Sequence, residues 1–115
     1  MWLWLSSAFM VAAALVHSVL GYRRLIVPLL RSGGGLLADP LVRRIVRFAW
    51  HATSALMLVS AAAVSWPGTP KGLLAVIGAA WLATGLFNAL YTKGRHIAWP
   101  VLSAAGLLAL IGGFA

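Results

Sequence analysis

The chain reads as an all-α integral membrane protein: an antiparallel four-helix bundle with both termini outside and its basic loops cytoplasmic. Three observations predict this. Of 115 residues, 63% are hydrophobic and only 9% charged, with a mean hydropathy of +0.98; a soluble domain of this size has too little interior to hide so much apolar surface. The apolar residues fall into four runs of roughly twenty, the length that crosses a ~30 Å hydrocarbon core. Eight of the nine Lys and Arg residues collect between runs one and two and between runs three and four.

The first span is predicted over Trp2 to Leu20. Its N-terminal end carries no Lys or Arg, and the arginines come after the apolar run. A secretory signal has the opposite order, so the segment is expected to be retained. Tyr22 to Arg31 mixes three arginines with five aliphatic residues, the composition of a segment lying in the membrane interface, and Pro28 predicts a break within it. Gly33, Gly34 and Gly35 form a flexible interruption.

Asp39-Pro40 is a helix start, with Asp as N-cap and Pro at the first helical position. The second span is predicted over Val42 to Trp66, within a helix that begins at Pro40. That helix exceeds the thickness of the core, so its first turns should protrude and put Arg43, Arg44 and Arg47 at headgroup level. Pro67 to Pro70 forms a tight turn. The third span is predicted over Gly72 to Tyr91, the basic hairpin over Thr92 to Arg95, and the fourth span over Ile97 to Phe114.

Orientation follows from charge. Arg23, Arg24, Arg31, Arg43, Arg44, Arg47, Lys93 and Arg95 fall in connections one and three, against Lys71 alone in the middle turn. The positive-inside rule then puts those connections in the cytoplasm. Trp2, Trp4 and Trp66 form an outer aromatic belt, and Tyr22, Trp50, Tyr91 and Trp99 an inner one. Helical phase puts Ser6, Met10, Ala13, His17 and Gly21 on one face, Arg44, Arg47, His51 and Ser54 on another, and Thr84, Asn88 and Tyr91 on a third. Such polar faces are expected to turn inward in lipid.

Candidate chemistry rests on depth. His17 precedes the arginines of the first connection, His51 follows those before the second span, and His96 follows Arg95. The topology therefore predicts three imidazoles at one cytoplasmic level. Three such donors with an open position could hold copper or zinc, and a facing pair could clamp a haem iron. Ser54 and Asn88 are the candidate orienting partners of these rings. The competing reading is that the histidines hydrogen-bond neighbouring helices or reach to headgroups. Arg23, Arg24, Arg43, Arg44, Arg47 and Arg95 are candidate contacts for an anionic lipid or ligand, or serve to set topology.

The formal net charge of +8 is assigned to membrane lipid and not to nucleic acid. The chain has no cysteine, which excludes disulfides and thiolate chemistry. No carboxylate lies within a span, which opposes a proton-coupled drug exporter of this size. The strings His17-Ser18-Val19-Leu20-Gly21, Arg47-Phe48-Ala49-Trp50-His51 and Gly94-Arg95-His96-Ile97-Ala98-Trp99-Pro100 resemble a pattern in a family of small, uncharacterised bacterial four-span membrane proteins. That resemblance implies a bacterial inner-membrane location and carries no activity. Two functional readings stay open: a protein with a metal- or haem-binding tri-histidine site, and an accessory or structural subunit binding anionic lipid or partner helices. An oligomeric transporter or channel is the third alternative, with a homo-oligomer or a larger membrane complex as its setting.

Overall fold

The computed structural model describes residues 1–115. It contains four helices: α1 (Trp2–Ser32), α2 (Pro40–Ser65), α3 (Lys71–Tyr91) and α4 (Ala98–Phe114). The first three are long and apolar enough to cross a membrane. α4 is equally apolar but has 17 residues, about 25 Å of helix, at the short end of what a bilayer core needs.

α1 departs from the expected break. It runs unbroken past Leu20 to Ser32, and its segment Val16–Ile26 is a π-helix. Pro28 lies just beyond that segment. A proline inside an α ladder leaves a carbonyl unpaired and clashes with the preceding turn, and a local shift to π register is one way a helix absorbs it. The chain stops being helical at Gly33, in the left-handed region at φ 61°, which costs glycine little. A 3-10 turn over Gly35–Ala38 leads into α2. Asp39 caps that helix as expected, its Oδ1 accepting from the Leu41 N–H at 2.8 Å.

Side-chain contacts define an up-and-down register. Ser7 Oγ donates to the Ala61 carbonyl at 2.9 Å, while His17, ten residues on, meets Trp50; α1 and α2 are therefore antiparallel. Ser6 Oγ donates to the Ala105 carbonyl at 2.7 Å, and Gly112 lies against Leu3, so α1 and α4 are antiparallel as well. Gly78 faces Leu110 and Gly85 faces Ser103, which sets α3 antiparallel to α4. The packing order is α2, α1, α4, α3, and the outer two helices barely touch. The result is an open assembly of 51 × 30 × 19 Å, with a groove between α2 and α3 where a closed bundle would have a fourth interface.

Both termini and the turn after α2 share one end, where Met1, Trp2, Trp66, Thr69 and Ala115 line a common cavity of about 460 Å³. The two basic connections therefore lie at the other end.

The interior is made of small residues and a few aliphatic ones: Met10, Ala61, Val64, Leu74, Ala105 and Ala109. Glycines set the closest approach. A Cβ on Gly106 would run into the Leu82 amide nitrogen and the Gly78 carbonyl, so α3 and α4 touch backbone to backbone. On α3 this corrects the expectation that polar faces turn inward, although Ser6 of α1 and Ser54 of α2 are buried. The buried residues of α3 are Leu74, Gly78 and Gly85, while Thr84 and Tyr91 are exposed. Thr84 can stay outside because its hydroxyl donates to its own helix at the Ala80 carbonyl, 2.7 Å away. Shape, and not polarity, chose the face. Only 17 of 115 residues are buried, so most of the apolar side chains point away from the protein.

Candidate functional site

The densest polar arrangement lies where the π segment of α1 crosses α2. Its wide turn directs His17, Ser18, Gly21 and Tyr22 towards Trp50, His51 and Ser54. His17 and Trp50 stack, with ring centroids 3.9 Å apart and planes 13° from parallel. They also exchange hydrogen bonds with each other's backbone. Trp50 Nε1–H donates to the His17 carbonyl at 2.9 Å, and His17 Nε2 lies 3.1 Å from the Trp50 carbonyl. A carbonyl only accepts, so that nitrogen carries the proton and His17 is the Nε2–H tautomer. Gly21 makes room for the indole: a Cβ there would come within 2.8 Å of Trp50 Cζ2.

The second ring is held differently. Ser18 Oγ donates to Ser54 Oγ at 2.6 Å and lies 3.0 Å from His51 Nδ1. With Ser18's proton directed to Ser54, His51 Nδ1–H is the donor to Ser18. Its Nε2 then keeps a lone pair, on a side chain that is exposed. Tyr22 tilts against the same ring at 4.8 Å. Ser54 is buried, so its link to His51 runs through Ser18, a residue that the helical phase of α1 did not single out. The signal for Ser18 was its place beside His17.

His96 is placed elsewhere. Its Nδ1 lies 3.2 Å from Asn88 Oδ1 and its amide N–H reaches Thr92 Oγ1 at 3.4 Å, at the end of α3. Asn88 therefore sits against a histidine, as a partner that fixes its tautomer and orientation. No three His, Cys, Asp or Glu side chains are grouped so as to hold a metal ion. His17 and His51 face the α1–α2 contact and His96 faces Asn88, because common depth leaves each ring's direction around its helix axis undecided.

The arginines are divided between two environments. Arg43 is half-buried and donates to the Leu30 carbonyl, which ties the start of α2 to the end of α1. Arg23, Arg24, Arg44, Arg47 and Arg95 are exposed. The only acid, Asp39, is occupied as a helix cap. One carboxylate cannot neutralise eight cations at one end of the molecule, so their counter-charge has to come from outside the chain.

No protein-family model, curated protein or solved structure matches the chain. The resemblance of its three histidine-bearing strings to bacterial four-span proteins therefore stands on those strings alone.

Proposed function

We propose that the chain is an integral membrane protein of the accessory or structural kind, seated with both termini outside and its arginine-rich end among anionic headgroups on the cytoplasmic side. The supporting observation is a coincidence of two distributions. Apolar side chains such as Leu56, Phe87 and Leu90 are exposed along the helices, and eight of nine Lys and Arg lie at one end. Lipid tails cover the first and phosphates neutralise the second. In this reading the His17–Trp50 pair is a latch: it joins α1 to α2 beneath the charged surface by satisfying polar atoms that lipid cannot.

Reconstitution tests it. In vesicles of phosphatidylcholine with increasing phosphatidylglycerol, thermal stability should rise with the anionic fraction. The gain should shrink at high salt and in the double variant Arg44→Gln/Arg47→Gln. A stability indifferent to headgroup charge would count against the reading.

A second reading, metal or haem at the histidines, draws on the Nε2 lone pair that hydrogen bonding to Nδ1 leaves on both His51 and His96. Protein purified from its own host would carry stoichiometric copper or zinc, or show a Soret band. If it carries none of these, this reading fails and the lipid reading is unaffected.

A further inference from the structure

The groove between α2 and α3 has a volume of about 450 Å³, with walls formed by Leu56, Met57, Ala80 and Trp81 and a floor at Leu102. It also contains three hydroxyls, on Thr53, Ser60 and Thr84. Each donates to a carbonyl of its own helix: Thr53 to Ala49 at 3.0 Å, Ser60 to Leu56 at 3.1 Å and Thr84 to Ala80 at 2.7 Å. Their protons are spent, so the groove offers an occupant chiefly methyl, methylene and aromatic surface. A partner helix held by interhelical hydrogen bonds would find few donors there, the Trp81 indole N–H being the exception.

Beyond the residues that line the groove, α3 continues to the basic end of the molecule. Asn88 lies four residues beyond Thr84 and seven beyond Trp81, on the same face of α3. Its Oδ1 holds His96, which brings the Lys93–His96 turn back over that face. Lys93 and Gly94 both take positive φ, at 53° and 71°, so the turn folds tightly against the helix end. Asn88 has its amide N–H groups left to donate, and Lys93 and Arg95 are exposed beside it. From Thr84 to Thr92 is about 12 Å along the helix. An acyl chain lying in the groove could therefore end in a headgroup at this turn.

We infer that the α2–α3 groove is a binding site for one anionic phospholipid, with an acyl chain against Met57, Ala80 and Trp81 and its phosphate at Lys93, Arg95 and Asn88. The inference rests on the membrane reading above and deepens it. It separates one retained lipid from the diffuse layer that neutralises the arginines of the first connection.

Native mass spectrometry of the detergent-solubilised full chain, with added phosphatidylglycerol or phosphatidylcholine, tests it. One phosphatidylglycerol should stay bound under activation that strips the rest. Ala80→Phe, which fills the groove, should abolish that adduct. Lys93→Gln/Arg95→Gln should cut the preference for phosphatidylglycerol over phosphatidylcholine by roughly tenfold. A graded series of adducts with no tightly held first lipid would overturn the site, as would an adduct indifferent to Ala80→Phe. So would a dimer that Ala80→Phe dissociates, which would assign the groove to a second copy. If Ala80→Phe does not fold, brominated lipid gives the answer in the unmodified groove. Brominated phosphatidylglycerol should quench the fluorescence component that Trp81→Phe removes, and brominated phosphatidylcholine should not; equal quenching by both overturns the site. The vesicle experiment above, repeated with Ala80→Phe, keeps the two ideas apart. Anionic stabilisation that persists while the tight adduct is absent defeats the groove alone, and its absence in the wild type defeats the membrane-charge reading itself.

Discussion

At the scale of single residues, Trp50 does more than mark an interface. Its indole N–H satisfies the His17 carbonyl, its ring stacks on the imidazole and its edge fills the space that Gly21 leaves open. Trp50→Phe keeps an aromatic surface but leaves that acceptor without the indole donor, and should cost about 1–2 kcal/mol in a reversible unfolding titration in mixed micelles. Gly21→Ala should cost a similar amount by pushing the indole aside, about 1–3 kcal/mol for an overpacked contact. Combining the two should cost less than their sum, because both act on one contact; strict additivity would show that the latch is not a unit. Ser103 gives the opposite case. Its Oγ is buried without a partner, so Ser103→Ala removes an unmet polar group and should raise stability by about 1 kcal/mol. A clear loss of stability would mean that the hydroxyl has an unrecognised acceptor.

At the scale of elements, the contrast between glycines is the sharpest test of how the helices dock. Gly106 sits where α3 and α4 meet backbone to backbone, and a Cβ there collides with main-chain atoms that cannot rotate away. Gly106→Ala should destabilise by about 3 kcal/mol or more, or prevent α3 from docking at all. Gly72, in the first turn of α3, has nothing within 4 Å of such a Cβ, and Gly72→Ala should be neutral or stabilise by up to about 1 kcal/mol through helix propensity. Similar costs at both positions would show that the α3–α4 approach is looser than described. Asp39→Ala should cost about 1 kcal/mol by removing the cap of α2, with the tightly held phosphatidylglycerol unchanged, since Asp39 does not line the α2–α3 groove.

At the scale of the whole molecule, the packing order α2, α1, α4, α3 places both termini at one end and the basic connections at the other. If the cytoplasmic leaflet takes the basic end, a reporter fused after Ala115 should be active only on the outer side. A cysteine placed at Gly34 should react with an impermeant thiol reagent only from inside. A C-terminus found in the cytoplasm would reverse the orientation and move the proposed phosphate contacts to the other leaflet. The thin, open shape also explains how a chain with few buried residues holds together. α1 and α4 form its centre, and α2 and α3 each rest on one of them.

What was legible in the sequence was whatever depends on composition and on order along the chain. Hydropathy marked four helices and charge grouped the basic loops, because both are sums over local segments. Asp39-Pro40 marked a helix start because capping is chemistry between neighbours. Phase around a helix carried less far. Ser6 and Met10 do lie inside, but Thr84 and Tyr91 lie outside, because a hydroxyl can be satisfied by its own helix and glycine can admit a neighbouring backbone. The run of α1 through Pro28 was hidden as well, since a proline reads as a break and residue type does not announce the π segment that precedes it. Above all, equal depth could not say whether three histidines meet. That depends on the rotation of each helix about its axis, and only the tertiary contacts decided it, turning His17 and His51 to the α1–α2 latch and His96 to Asn88.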